Sequence, residues 1–164
     1  MKMENENQEA RELYKKVLLQ GIKQIIDLED MINHTVMVSN IYEDKIKVYS
    51  EAEMFNNAMG IALILMNKQV DREKKRILNI IEKSVLDDEM QNLLMEDMPV
   101  LLQVKEYIKN KGKIELPDLM EDLLEELDDY YLEEIDEDLL FEILDRILRR
   151  ILTNLNEENN ANEE

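Results

Sequence analysis

Residues 116–155 read LPDLMEDLLEELDDYYLEEIDEDLLFEILDRILRRILTNL, and this stretch decides the fold. Its apolar residues recur at steps of three and four, the spacing that places them along one face of an α-helix. Two such runs follow each other. Pro117 suits a first helical turn, and Asp136 is a suitable N-cap between the runs. The pattern predicts two helices, near 117–133 and 137–155, packed as an antiparallel pair.

Acidic side chains occupy most positions that the apolar stripe of the first predicted helix leaves free. They recur about once per turn, so one helix face presents carboxylates spaced on the order of 5–6 Å apart. We predict that this face is the partner-binding surface, formed by Asp118, Glu121, Asp122, Glu125, Glu126, Asp129 and Glu133. The competing interpretation is a solvated face that keeps a leucine-rich bundle soluble.

The composition of the 164-residue chain predicts an all-α fold. Hydrophobic residues make up 45% and charged residues 36%, which is typical of a globular protein, and three glycines and two prolines disfavour loop-rich or all-β folds. We therefore predict a single-domain bundle of about six helices over residues 1–155. The chain has no cysteine, which excludes disulfides and thiolate metal sites.

Two segments depart from the helical pattern. Residues 35–49 are rich in β-branched side chains and partly alternate, so a small β-hairpin fits them nearly as well as a helix. Helix is slightly favoured because an isolated hairpin gains little stability. Residues 156–164 contain one apolar residue, Ala161, and we expect them to form a disordered acidic tail.

The helix expected over residues 50–67 is apolar through nearly all of its middle, which predicts the central, most buried helix of the bundle. Asp71 is expected to cap a separate helix that follows it. This part of the chain carries the only basic cluster, Lys68, Arg72, Lys74, Lys75 and Arg76. The cluster has no interleaved aromatic residues, which disfavours a nucleic-acid site.

The net charge of −19 is distributed unevenly along the chain. Residues 1–114 are nearly neutral, with 20 acidic and 17 basic side chains and a net of −3. Residues 115–164 hold 19 acidic and three basic side chains, a net of −16, most of them in the helical pair of residues 115–155. Such a surface repels phosphates and attracts basic proteins, so we expect a protein partner with a basic surface and no direct nucleic-acid binding.

Residue types that carry out catalysis are scarce. His34 is the only histidine, and Met31 stands three positions before it, where a carboxylate-bridged metal site in a helical bundle has glutamate. No glycine-rich phosphate loop or nucleophile elbow occurs, and the acidic segments lack the spacing of a calcium loop. We expect a non-enzymatic protein with no cofactor and no metal site.

The apolar segments of the chain are short. The first residues lack the apolar core of a signal peptide, and the most apolar run, residues 58–66, is too short to cross a bilayer. We expect a cytoplasmic protein that does not bind membranes.

These observations favour a protein that acts through protein–protein interaction, as a regulator, inhibitor or assembly subunit, using its acidic C-terminal half. One alternative is a viral-type nucleic-acid mimic that inhibits a host polymerase or nuclease by occupying its basic channel. The other is a self-assembling structural protein, for example a homodimer, that associates through exposed leucine and isoleucine stripes of residues 137–155.

Overall fold

The fold consists of α-helices joined by short connections. It was obtained as a computed structural model, which describes residues 2–45, 50–112 and 114–162. These residues form six α-helices and no strand: α1 Lys2–Lys45, α2 Ser50–Leu86, α3 Asp88–Leu94, α4 Val100–Lys111, α5 Leu116–Asp128 and α6 Glu137–Asn162. One turn of 3₁₀-helix, Leu132–Glu134, lies between α5 and α6. The predicted all-α bundle of about six helices is confirmed.

Local capping interactions set several of these helix ends. The side chain of Asp87 accepts the backbone N–H of Glu89 at 2.9 Å and so caps α3. The side chain of Asp136 accepts the N–H of Leu139 at 2.7 Å at the start of α6. Gly112 ends α4 with a φ of +125°, a conformation that a residue without Cβ adopts without strain.

Helix α1 continues through the segment for which a β-hairpin was considered. Residues 35–45 are helical, so the proposed first strand does not form, and the proposed second strand includes residues 46–49, which lie outside the described residues. The hydroxyl of Thr35 donates to the carbonyl of Met31 at 2.7 Å, which satisfies a polar β-branched side chain inside a helix. Adding one residue to an existing helix is favourable, and this outweighs a weak β preference.

The slightly favoured helix is thus confirmed over residues 35–45, but two predicted helix boundaries are wrong. Helix α2 runs through Asp71 without a break, so the two helices expected around that residue are one. Helix α6 extends to Asn162, through most of the segment predicted to be a disordered tail at 156–164. The amide of Asn159 donates to the hydroxyl of Tyr107 at 3.4 Å, which helps to hold this last part of α6 against α4.

The helices form two compact units, and α1 and α2 each contribute to both. Unit 1 comprises Met1–Gln20 and Ile77–Glu164, and unit 2 comprises Gly21–Arg76. The acidic pair α5 and α6 lies entirely in unit 1. This division does not follow the sequence-based boundary at residue 115, and the single domain over residues 1–155 stays a prediction.

Helix α6 supplies much of the core of unit 1, and both α4 and α5 pack against it. Its buried stripe follows the helical period and comprises Leu140, Phe141, Ile143, Leu144, Ile147, Leu148 and Leu152. The hypothesis of self-assembly through stripes of residues 137–155 required these side chains to be exposed. Because they are buried, this surface does not offer the proposed contact.

Unit 2 is a pair of helices with a narrow core. Ile22, Ile25 and Val70 are buried, and Lys74 of α2 lies 2.9 Å from the carboxylate of Glu29 of α1. The apolar middle of α2, however, is largely exposed, so the prediction that it forms the most buried helix is wrong. A pair of helices covers only one stripe of each partner, and α2 is apolar over more of its surface than that stripe.

Lys15 joins three parts of unit 1 from a nearly buried position. Its ammonium group lies 3.2 Å from the carboxylates of both Asp97 and Asp138, and 5.3 Å from the ring centroid of Phe141. Burial lowers the pKa of Lys15, but the hydrogen bonds and charges of the two carboxylates outweigh burial, so its pKa is raised above the ordinary value.

We expect K15A to lower the free energy of unfolding by about 2–3 kcal/mol, measured by denaturant titration. The loss should be smaller than for a fully buried pair because Asp138 is exposed. The matched control is K16A, at an exposed neighbouring lysine, which should change stability by no more than about 0.5 kcal/mol. Equal effects of the two variants would contradict the structural role of Lys15.

Tyr14 lies beside this cluster, with its ring centroid 5.9 Å from that of Phe141. Burial raises the pKa of the Tyr14 phenol to about 12, and a hydrogen bond with Ser84 only partly offsets that effect. The folded chain therefore holds the phenolic proton more tightly than the unfolded chain does. The resulting stabilisation is fully present below pH 10 and is lost as the pH rises towards 12.

We expect the unfolding free energy to fall by about 2–3 kcal/mol between pH 10 and 12 because of Tyr14, since two pKa units correspond to about 2.7 kcal/mol. Y14F should remove this part of the pH dependence, leaving the smaller contribution of Lys15. Denaturant unfolding at several pH values measures both. Y131F, at an exposed tyrosine, is the control. If the unfolding free energy of Y14F fell between pH 10 and 12 as steeply as that of the unmodified chain, the assignment of this pH dependence to Tyr14 would be wrong.

Candidate functional site: the acidic surface of α5

The rotation of α5 within unit 1 decides which of its acidic side chains reach the surface. Leu119, Met120, Leu123 and Leu127 are buried and form the packed side of the helix. With 3.6 residues per turn, the opposite side carries acidic residues that we call the outer acidic face: Asp118, Glu121, Glu125 and Asp129. The leucine spacing thus turns the carboxylates outward.

The outer acidic face consists of exposed carboxylates. All four side chains are exposed, and within the described part of the chain none of them takes part in an ion pair. Asp128 is also exposed beside them, although it is not among the predicted partner-binding residues. Its helical position, seven residues after Glu121, would have indicated this placement.

Two of the predicted site residues are occupied by internal ion pairs. Arg150 of α6 lies 3.2 Å from Asp122 and 3.4 Å from Glu126, and Arg146 lies 3.7 Å from Glu126. These pairs join α5 to α6 in antiparallel order. They also give a role to two of the three arginines of α6, which lie in the middle of that helix.

The last predicted site residue, Glu133, does not lie on α5. The helix ends at Asp128, and Glu133 is exposed in the 3₁₀ turn that follows. The predicted helix end near residue 133 is therefore wrong. Aspartates at 128 and 129 oppose the negative end of the helix dipole and so favour an early end.

Two tyrosines lie directly after the outer acidic face. Tyr131 is 79% exposed and Tyr130 is 37% exposed, although the helix predicted near residues 117–133 would have continued through both. They fall outside the helix because α5 has already ended. The site therefore combines free carboxylates with an exposed aromatic ring.

The two units differ sharply in charge. Unit 1 holds 30 acidic and 12 basic side chains, a net of −18, and unit 2 holds nine acidic and eight basic, a net of −1. Within the basic cluster of unit 2, Lys74 pairs with Glu29 and Arg76 pairs with Glu73. Lys68, Arg72 and Lys75 are exposed. The negative charge of the chain is thus concentrated in unit 1.

The described residues offer little support for a metal site or a membrane-spanning helix. No group of three or more histidine, cysteine or carboxylate side chains there has a geometry that would hold a metal ion. His34 is exposed on α1. None of the helices in the described ranges is long and apolar enough to cross a membrane.

Comparisons with protein-family models, with curated proteins and with solved structures found no match to this chain.

We expect R150A to lower the free energy of unfolding by no more than about 1 kcal/mol in dilute salt, because its ion pairs with Asp122 and Glu126 are partly exposed. The loss should shrink in 0.5 M NaCl, where the screening length is about 4 Å against about 30 Å in 0.01 M salt, because ions weaken such pairs. Denaturant titrations at both salt concentrations measure this, and a loss that salt does not alter would contradict it.

Proposed function

We propose that this protein acts without catalysis, as a binding protein whose outer acidic face contacts a basic segment of a partner protein. One contrast carries the proposal. Asp122 and Glu126 on the flank of α5 are paired with arginines of α6, whereas the four residues of the outer acidic face have no such partners. Free carboxylates on a rigid helix attract a cationic partner at little cost in ordering.

The exposed ring of Tyr131 supports a partner that is rich in arginine rather than lysine. A guanidinium group binds carboxylates through two parallel hydrogen bonds and also stacks on aromatic rings. Tyrosine is also among the residues that contribute most to binding at protein interfaces. An arginine-rich helix or extended segment that crosses the end of α5 would meet both features.

The charge density of α5 favours a basic protein segment over the basic channel of a nucleic-acid enzyme. Helix α5 has 13 residues, and so a length of about 20 Å. A nucleic-acid duplex of that length carries about 12 phosphate charges, at one per 1.7 Å. The outer acidic face presents four carboxylates, or five with Asp128, so it reproduces less than half of that charge. Regulation, inhibition or assembly of a basic protein is the class of function that follows.

The test is a titration of a nine-residue oligoarginine peptide, followed by fluorescence anisotropy. We expect D118N/E121Q/E125Q/D129N to weaken binding by about tenfold or more, at roughly 0.3–0.5 kcal/mol per removed contact. The matched control is E106Q/E142Q/E157Q/E158Q, which changes net charge equally at four exposed positions of unit 1. Equal weakening by both variants would show that binding follows net charge alone and would refute the proposed surface.

Two single variants sharpen this test. R150A should bind the peptide more tightly than R149A, although both remove one positive charge. R150A frees Asp122 beside the outer acidic face and leaves Glu126 with Arg146 alone, whereas R149A frees Asp145 on α6. Y131A should reduce the preference for oligoarginine over oligolysine, since the ring favours guanidinium. Affinity capture from cell extract with the fourfold variant and its control then identifies the natural partner.

A further inference from the structure

The exposed side of α2 in unit 2 carries an apolar stripe that the fold does not cover. Met54, Ile61 and Leu65 are 74%, 61% and 60% exposed, Ala58 is exposed between them, and Ile64 beside the stripe is 57% exposed. We call Met54, Ala58, Ile61 and Leu65 the α2 stripe. Large side chains exposed together in this way mark an interaction surface more often than isolated ones do.

The α2 stripe is separate from the side of α2 that faces its own unit. The side that faces its own unit carries a second apolar stripe, whose residues are partly covered or buried: Met59, Ala62, Met66 and Val70. Helix α2 therefore has two apolar stripes, and among the described residues only one of them is covered by packing within the chain. Steps of four, three and four residues along the α2 stripe are the spacing of a coiled-coil seam.

We propose that the α2 stripe docks onto the same stripe of a second copy of this chain, with the two α2 helices antiparallel. The step pattern reads the same in both directions, so a two-fold axis places Met54 opposite Leu65 of the second copy and Ala58 opposite its Ile61. Every apolar residue of the stripe then meets an apolar residue, as a contact between identical surfaces requires. This proposal goes beyond the partner binding proposed for α5 and does not depend on it.

Charge supports both the second copy as the occupant and the antiparallel order. Unit 2 has a net charge of −1, whereas unit 1 has −18, so two copies repel each other least through unit 2. A parallel pair would place Lys68 and Arg72 beside the same cations of the second copy. In the antiparallel pair, Lys68 lies level with the turn of the second copy that carries the exposed Glu53.

The length of the α2 stripe sets the expected strength of the dimer. From Met54 to Leu65 the helix rises only about 17 Å. A contact of this length buries less surface area than a stable protein interface usually does. We therefore expect a dissociation constant on the order of micromolar. The dimer would form and separate as concentration changes.

The first test is sedimentation velocity of the full chain from about 1 to several hundred micromolar. The mass should rise from 19.5 kDa towards about twice that value. I61E should raise the dissociation constant by at least about tenfold, because each dimer would bury two unpaired carboxylates. L102E, at a half-exposed leucine of unit 1, is the matched control and should dimerise as the unmodified chain does. Circular dichroism checks that both variants stay helical.

The second test uses the absence of cysteine from the chain. M54C/L65C should form covalent dimers on oxidation, whereas M54C alone and L65C alone should not, because each faces the other position across the antiparallel pair. Within one chain these positions are about 17 Å apart along the helix, too far for a disulfide. Efficient dimers of M54C alone would refute the antiparallel order. A chain that stays monomeric at every concentration would overturn the proposal. This holds even if the monomer binds anionic lipid vesicles.

Discussion

The buried apolar stripe of α6 is the constraint on which the organisation of unit 1 depends. Both α4 and α5 pack against α6, and its buried leucine and isoleucine side chains recur at every third or fourth position. Because α5 must turn its own leucines towards this stripe, its rotation is set by packing and not by charge. The acidic side chains reach solvent as a consequence. Hydrophobic burial in α6 thus determines which carboxylates are available to a partner.

The same packing sorts the acidic residues of α5 into two groups. Arg146 and Arg150 lie four residues apart on α6, and they meet Asp122 and Glu126, which are also four residues apart on α5. The matched spacing is what an antiparallel helix pair needs for ion pairs across its edge. The outer acidic face lies beyond the reach of these arginines. One side of α5 therefore supports the fold, and the adjoining side carries the carboxylates proposed to bind a partner.

Much of the fold could be predicted from local signals. Apolar periodicity indicated the helices, and Asp136 marked a helix start that the structure confirms. It was harder to predict which acidic residues of α5 form ion pairs and which do not, because this depends on which helix lies beside α5. The arginine spacing on α6 carried that information, but only once the two helices were aligned with each other. Tyr131 was misplaced for a related reason, since its exposure follows from where α5 ends.

The longest helices were predicted least well, because their boundaries depend on cooperativity and on partners. Asp71 and the β-branched residues near Thr35 are local signals against helix continuation, yet neither interrupts a helix that is already formed. The apolar middle of α2 showed that this segment needs a partner without showing which one. A run that is apolar on more than one side suits a buried helix of a larger core and a helix shared between two chains equally well.

The separation of charge between the units has a consequence for how the two proposed surfaces would work together. A chain with its net charge spread evenly would oppose its own association over its whole surface. Here most of the charge resides in unit 1 and the exposed α2 stripe lies in unit 2, so the unit that the proposed dimer brings together carries little net charge. A dimer formed in this way carries two outer acidic faces. A partner with two basic segments would then bind both faces at a raised effective concentration, and a modest affinity at each α5 would be sufficient.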